Sequence, residues 1–269
     1  MNKFKYKYHN IKKKLGQHFI RNRIIISQII DIIQPKLEDQ MIEIGPGLGS
    51  LTEPLCKILK KLIVIEIDDD LSDYLNNVYY KKKLIIYIQD VLDFNFSAIF
   101  KNKLIRIFGN IPYNISTNLI FHVLDFIDII YDIHFMLQKE LFERLVALPG
   151  SKKYGILSVI FQYYFDIKAM IYVSAKDFFP IPKIDSVFTR FIPHKSPLIN
   201  VSCFNTLKKV LFLSFNNRRK ILKNSLKSIF SETELLKLGI STTLRAENIT
   251  IAQYCILSNI LFQKNNCKN

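Results

Sequence analysis

The sequence predicts an α/β protein, a parallel, doubly wound sheet followed by a small all-helical region. Three observations carry this. Short apolar runs alternate with helix-length segments up to about residue 193. The first of those runs opens into the glycine-rich turn I-E-I-G-P-G-L-G-S-L-T (42–52). Beyond P-H-K-S-P-L (193–198), a Pro-flanked polar linker, the strand-like runs stop. Of the 269 residues 49% are hydrophobic, enough for one substantial core and a smaller second one.

The elements follow in chain order. After a basic arm, I-I-I-S-Q-I-I-D-I-I-Q (24–34) is apolar around most of its turns and stops before Pro35, so it reads as a buried helix. Strands are expected at 41–44, 62–67, 84–88, 104–108, 133–137, 169–173 and 186–191. The first four are near-continuous apolar runs, as in strands covered on both faces. Helices are expected between them at 52–60, 69–75 and 116–124, and right-handed crossovers then make the sheet parallel. In the tail, Ser231 and Glu234 have capping-box spacing, Gly239 supplies the stop of that helix, and Thr250 caps a last one at 251–262. The expected domains are 1–193, with the basic arm, and 194–269.

The formal net charge of +15 favours solubility or a polyanionic partner. Only eight of the 38 basic residues are Arg, and Ile, Lys and Asn are abundant throughout, so the charge alone is moderate evidence for nucleic acid. Cys56, Cys203, Cys255 and Cys267 form no C-x-x-C pair and have no His at metal-ligand spacing, which points to reduced thiols in a cytoplasmic protein and to no metal. The N-terminus lacks a signal-peptide pattern, and no apolar stretch approaches the roughly 18 residues of a membrane span.

The site is read from the strand ends. Gly45 and Gly47 sit where the backbone turns tightly and a ligand can approach it. About 20 residues on, Glu66 ends the second strand, where a carboxylate accepts hydrogen bonds from both hydroxyls of a ribose. Such bonds are worth about 1.5–3 kcal/mol each. Asp90 ends the third strand, placed to accept a proton from an adenine amino group. A dinucleotide and S-adenosylmethionine (SAM) both fit these three ends. The fourth end, F-G-N-I-P-Y-N-I-S-T (108–117), separates them: it has no His or Lys for hydride chemistry, and its residues suit an amine. The N6 lone pair of adenine is delocalised into the ring. The Asn110 side-chain oxygen and the Ile111 carbonyl, held by Pro112, can each accept an N6 proton and turn that lone pair toward a sulfonium methyl. Tyr113 can stack on the base. No strong base is needed, because the nitrogen becomes acidic once alkylated.

These residues resemble the KsgA-type ribosomal RNA adenine dimethyltransferases nearly end to end. The specific pieces are K-K-K-L-G-Q-H-F-I (12–20), the glycine turn, V-I-E-I-D, Q-D-V, G-N-I-P-Y-N-I-S-T, F-F-P-I-P-K-I-D-S (178–186), N-N-R-R-K-I-L-K-N-S-L (216–226) and L-R-A-E-N-I-T-I-A-Q-Y-C (244–255). The resemblance implies a Rossmann-like class I SAM-dependent methyltransferase sheet with a helical C-terminal domain. It implies dimethylation of N6 on two adjacent adenines in the 3′-terminal hairpin loop of small-subunit rRNA, by a monomer acting late in 30S subunit assembly. It places the cofactor on His18, Ile20, Gly45, Gly47, Glu66, Asp90 and Asn110, and the target base on Asn110, Ile111, Pro112 and Tyr113, with Phe178 or Phe179 as the second stacking face. Lys12, Lys13, Lys14, Arg218, Arg219, Lys220 and Lys223 are the expected RNA contacts. His18 stands where the family usually has Asn, and Asp69 where it commonly has Arg. Two other readings share the fold: an Erm-type large-subunit rRNA methyltransferase, against which the tail motifs argue, and a non-catalytic RNA-binding assembly factor, against which Gly45, Glu66, Asp90 and Asn110 argue.

Overall fold

Apolar runs become strands and the segments between them become helices, as the patterning requires. The computed structural model describes residues 5–6, 9–10, 12–77, 83–197, 199–218 and 220–266. β1 (Lys5–Tyr6) and β2 (His9–Asn10) pair in the basic arm, and β3 (Phe19–Ile20) leads into α1 (Arg23–Ile33). Asn22 caps that helix, its side chain accepting from Ile24 N at 3.0 Å. β4 (Gln40–Ile44), α2 (Thr52–Ile58), β5 (Leu62–Glu66), α3 (Asp69–Asn77), β6 (Leu84–Ile88), β7 (Ile105–Asn110), α4 (Ser116–Leu124) and β8 (Ile130–Gln138) continue the alternation. Then come α5 (Lys139–Leu145), α6 (Ile156–Tyr164), β9 (Phe165–Val173), β10 (Phe178–Phe179), β11 (Ser186–Pro193), α7 (Phe204–Asn216), α8 (Leu222–Leu226), α9 (Glu232–Lys237) and α10 (Ile251–Asn266).

Seven strands form one sheet in the order β6-β5-β4-β7-β8-β11-β9. The neighbours from β6 to β8 are parallel. The expected all-parallel sheet is corrected at β11, which is antiparallel to β8. It begins at Ser186, opposite Gln138 at the end of β8, so it can only run back along its neighbour. Strand order reverses between β4 and β7, and in doubly wound sheets the crevice at such a switch point is the ligand site. The expectation of two covered faces fails for β6, an edge strand with Ile85 and Ile88 exposed.

The core lies between α1, α2 and the sheet. Ile29, Ile33 and Leu55 meet Met41, Val64, Phe108, Met136 and Phe188 in one buried cluster. A polar network supports the opposite end of the strands. Arg106 holds Asp132 through Nε and Nη2 (2.9 and 2.7 Å), reaches Asp39 at 2.8 Å, and donates to the Ile33 carbonyl at the C-terminus of α1 (2.6 Å). A buried guanidinium is tolerable only with such partners.

The chain forms two compact units, Met1–Phe142 with Lys168–Pro193, and Glu143–Ile167 with His194–Asn269. The boundary expected at 193/194 separates them, while residues 143–167 cluster with the second. In that unit Ser231 and Glu234 make the capping box, and Thr250 Oγ1 accepts from Gln253 N at 3.2 Å at the head of α10. The tail is not purely helical, since Ile221 and Arg245 form an isolated antiparallel bridge.

Candidate functional site

The glycine turn joins β4 to α2. Gly45 and Gly47 have φ of +62° and +57°, a region that L side chains rarely adopt. A Cβ on Gly45 would meet nothing within 4 Å and would project into open space, whereas one on Gly47 would lie 2.8 Å from the Phe19 ring. The backbone here is therefore exposed to a ligand on one side and packed on the other. Glu66, at the end of β5 and only 5% exposed, is held through its carboxylate by the N–H groups of Gly47 (3.2 Å), Ile67 and Asp68 (both 3.0 Å). Burial pushes its pKa up, and these three donors oppose the shift. Asp90 accepts from Leu92 N through Oδ1 at 2.9 Å, which fixes the carboxylate at the third strand end.

The fourth strand end shows how the amide is oriented. Asn110 Nδ2 donates to the His18 carbonyl, and this identifies Oδ1 as the atom turned to other partners. The His18 ring stacks on Tyr113, with centroids 5.5 Å apart and planes inclined by 26°. His18 Nδ1 lies 2.7 Å from the Pro180 carbonyl, which can only accept, so this nitrogen carries the hydrogen. The Tyr113 hydroxyl bonds Ser186 Oγ at 2.7 Å, and burial raises its pKa, keeping the phenol neutral. One histidine thus orients the amide through its backbone and braces the aromatic ring through its side chain.

A single cleft of about 220 Å³ brings these groups together. His18, Ile20, Gly45, Gly47, Glu66, Asp90, Asn110, Ile111, Pro112 and Tyr113 all line it. Phe178 is corrected: it is fully buried in the core with Ile20 and Phe188 and has no face to offer a base. Phe179 pairs with Phe19 in the β3–β10 ladder and does not line the cleft.

The sequence reading missed the groups that tie residues 12–20 in place. Gln17 Nε2 donates to Asp68 Oδ2 at 2.7 Å, and its Oε1 accepts from Lys12 N at 2.9 Å. Lys12 Nζ bridges Asp68 and Asp70, and the hydrogen bond to Asp68 raises its pKa. The signal was present in the G-Q of K-L-G-Q-H-F and the D of V-I-E-I-D, but nothing local paired them. Glu43 was also missed. It is buried at the cleft, bonds Thr52 Oγ1 at 2.7 Å, and burial pushes its pKa up to about 8.

Three expected RNA contacts are engaged internally. Lys12 is the bridge just described, Arg218 pairs with Glu247 at 2.8 Å, and Lys223 pairs with Glu232 at 3.2 Å. Arg218–Glu247 joins two tail motifs, N-N-R-R-K and R-A-E-N, so part of their signal is structural. Lys14 and Lys220 are exposed. Arg219, the Lys13 side chain and Cys267 lie outside the described residues. Among the described residues no group of three or more His, Cys, Asp or Glu could hold a metal, and no helix is long and apolar enough to cross a membrane.

Residues 8–263 match the family model described as "Ribosomal RNA adenine dimethylase". "Ribosomal RNA small subunit methyltransferase A" of Buchnera aphidicola (subspecies Acyrthosiphon pisum) is 51% identical over 263 residues, covering 97% of this chain and 96% of its own. The protein of the same name from Salmonella typhimurium is 44% identical over 264 residues, with 97% of both chains covered. Among solved structures, a dimethyladenosine transferase from Plasmodium falciparum superposes with a TM-score of 0.78 at 25% identity, covering 92% of this chain and 98% of its own. The 23S rRNA methyltransferase ErmE shares the fold, with a TM-score of 0.70 at 21% identity, 91% of this chain and all of its own covered.

Proposed function

Since the chain belongs to the ribosomal RNA adenine dimethylase family, we infer that the cleft binds SAM and orients an adenine of small-subunit ribosomal RNA for dimethylation at N6. The observation that carries the mechanism is the Asn110–His18 hydrogen bond, which engages Nδ2 and leaves the Asn110 Oδ1 as the acceptor for a substrate N–H.

When bound, SAM supplies an electrophilic methyl group on a sulfonium. The residues of the chain do the rest. Glu66 would hold the ribose hydroxyls, Asp90 the adenine amino group of the cofactor, and the open face at Gly45 would let the ligand approach the backbone. Tyr113, braced by His18 and Ser186, holds the plane of the target base. Asn110 Oδ1 and the Ile111 carbonyl each accept one N6 proton and so turn the lone pair toward the methyl. Once alkylated, the nitrogen would be acidic and would give its proton to solvent. The cleft needs no strong base, and Asn110 to Tyr113 contain none.

The finer reading is that each of two adjacent adenines in the 3′-terminal hairpin loop receives two methyls, on a 30S subunit late in its assembly, in the cytoplasm, and that the protein acts as a monomer. The Erm-type reading loses its support: the relatives at 44–51% identity are named for the small subunit, whereas likeness to ErmE at 21% identity reflects fold alone. Labelled SAM incubated separately with unmodified small and large subunits tests this. Label is expected on adjacent small-subunit adenines, and label confined to large-subunit RNA overturns the reading.

A further inference from the structure

The loop Pro180–Ser186 (residues 180–186) is bound at both ends to the groups that flank the target base. Its Pro180 carbonyl accepts from His18, and its Ser186 hydroxyl bonds Tyr113, each at 2.7 Å. The C-terminal end has further anchors. Asp185 Oδ1 accepts from Ala175 N at 2.9 Å, the Asp185 carbonyl accepts from Lys139 N at 3.1 Å, and two prolines restrict the backbone. Between these anchors Ile181 is 59% exposed and Ile184 38%, two aliphatic side chains facing solvent.

The rim around them is basic. Lys176, Lys183 and Arg21 are exposed. Arg21 is fixed beside the loop, its N–H donating to the Asp177 carbonyl (3.0 Å) and its guanidinium to the Lys176 carbonyl (3.1 Å). Of the nearby acids, Asp177 is half-buried and accepts from Asn22 Nδ2 at 2.7 Å, while Asp185 is exposed and has one oxygen engaged by Ala175 N. Two exposed aliphatic side chains with three exposed cations on the same and adjoining segments match single-stranded nucleic acid, whose bases offer apolar faces and whose backbone carries phosphates.

We propose that residues 180–185, with Arg21 and Lys176, form the surface that receives the unpaired RNA strand next to the target adenine. Ile181 and Ile184 pack against the bases left behind when the adenine swings into the cleft, and Lys176, Lys183 and Arg21 hold the adjoining phosphates. Apolar side chains inserted between bases in other nucleic-acid proteins likewise occupy the space opened by unstacking. The two tethers couple the seating of that strand to the setting of Tyr113.

This inference rests on the proposed RNA substrate. The test measures single-turnover methyl transfer from labelled SAM as unmodified small subunits are titrated. The variants are Ile181→Ser with Ile184→Ser, Ile181→Leu with Ile184→Leu, and Lys176→Ala with Lys183→Ala. Thermal stabilisation by SAM is expected to match wild type in all three. The Ser pair is expected to raise the half-saturating subunit concentration about tenfold or more, and the Leu pair to restore it. The Lys pair is expected to flatten the slope of log affinity against log salt by about 1 to 1.5. Wild-type titrations and salt slopes in both the Ser and Lys pairs overturn the surface. A wild-type protein that labels no small subunit overturns the substrate reading, and this inference with it.

Discussion

At the scale of single residues, the orientation of Asn110 and the plane of Tyr113 both depend on His18. Asn110→Ala removes an acceptor that acts as the lone pair turns, so the single-turnover rate is expected to fall by roughly 10² to 10³ while SAM affinity changes only a few-fold. Rapid-quench transfer and calorimetric titration separate the two, and an unchanged rate rejects the role given to the amide. His18→Ala keeps the backbone carbonyl and loses only the ring. An aromatic pair is worth about 0.5–1.5 kcal/mol, so the rate should fall by about tenfold or less, much less than for Asn110→Ala. Equal losses in the two variants would mean that the ring does more than brace Tyr113. Gly45, Gly47, Glu66, Asp90 and Asn110 to Tyr113 were legible in the sequence because each lies at the end of an apolar run, whereas His18 and Ile20 were reached only through the family resemblance. The His18 contacts were not legible, since they join residues 92, 95 and 162 positions apart, and no local pattern encodes them.

At the scale of elements, the turn from β4 to α2 has a divided role. Gly47→Ala forces an unfavourable φ and a contact at 2.8 Å with the Phe19 ring, so a cost of about 1–3 kcal/mol and weakened SAM stabilisation are expected by thermal melts. A variant that melts like wild type and binds SAM normally contradicts this packing. Helix caps were readable because they are local: Ser231 with Glu234, and Thr250 with Gln253, bond within one turn. The short ladder of β3 with β10 was not, because two-residue strands carry no periodicity and their partners are distant in sequence. That ladder is also why Phe178 falls in the core and Phe179 pairs with Phe19.

At the scale of the whole molecule, two buried groups shape stability against pH in opposite directions. His134 is held neutral by burial, with a pKa lowered to about 4, although Asp132 opposes the shift and Arg106 and Arg190 reinforce it. The unfolded chain therefore binds this proton more tightly, and stability is lost as pH falls from about 6.5 toward 4, by up to about 3 kcal/mol. His134→Phe removes this loss and a ring nitrogen with no partner among the described residues, so its melting temperature should fall less on acidification. Glu43, raised to about 8, is protonated in the fold, and its contribution is present at low pH and lost as pH rises from about 4.5 through 8. Glu43→Gln should flatten the alkaline side of the same melting curve, and parallel curves for wild type and both variants would show that neither group titrates as its burial demands. The sequence by itself determined the strand and helix alternation, the strand ends that line the cleft and the Asn110–Tyr113 motif, because each is written in neighbouring residues. Only the tertiary structure decided that β11 runs backward, that Phe178 is core, that Lys12, Arg218 and Lys223 have internal partners, and that His18 sets both Asn110 and Tyr113. These depend on which distant segments the sheet brings within hydrogen-bonding and van der Waals reach.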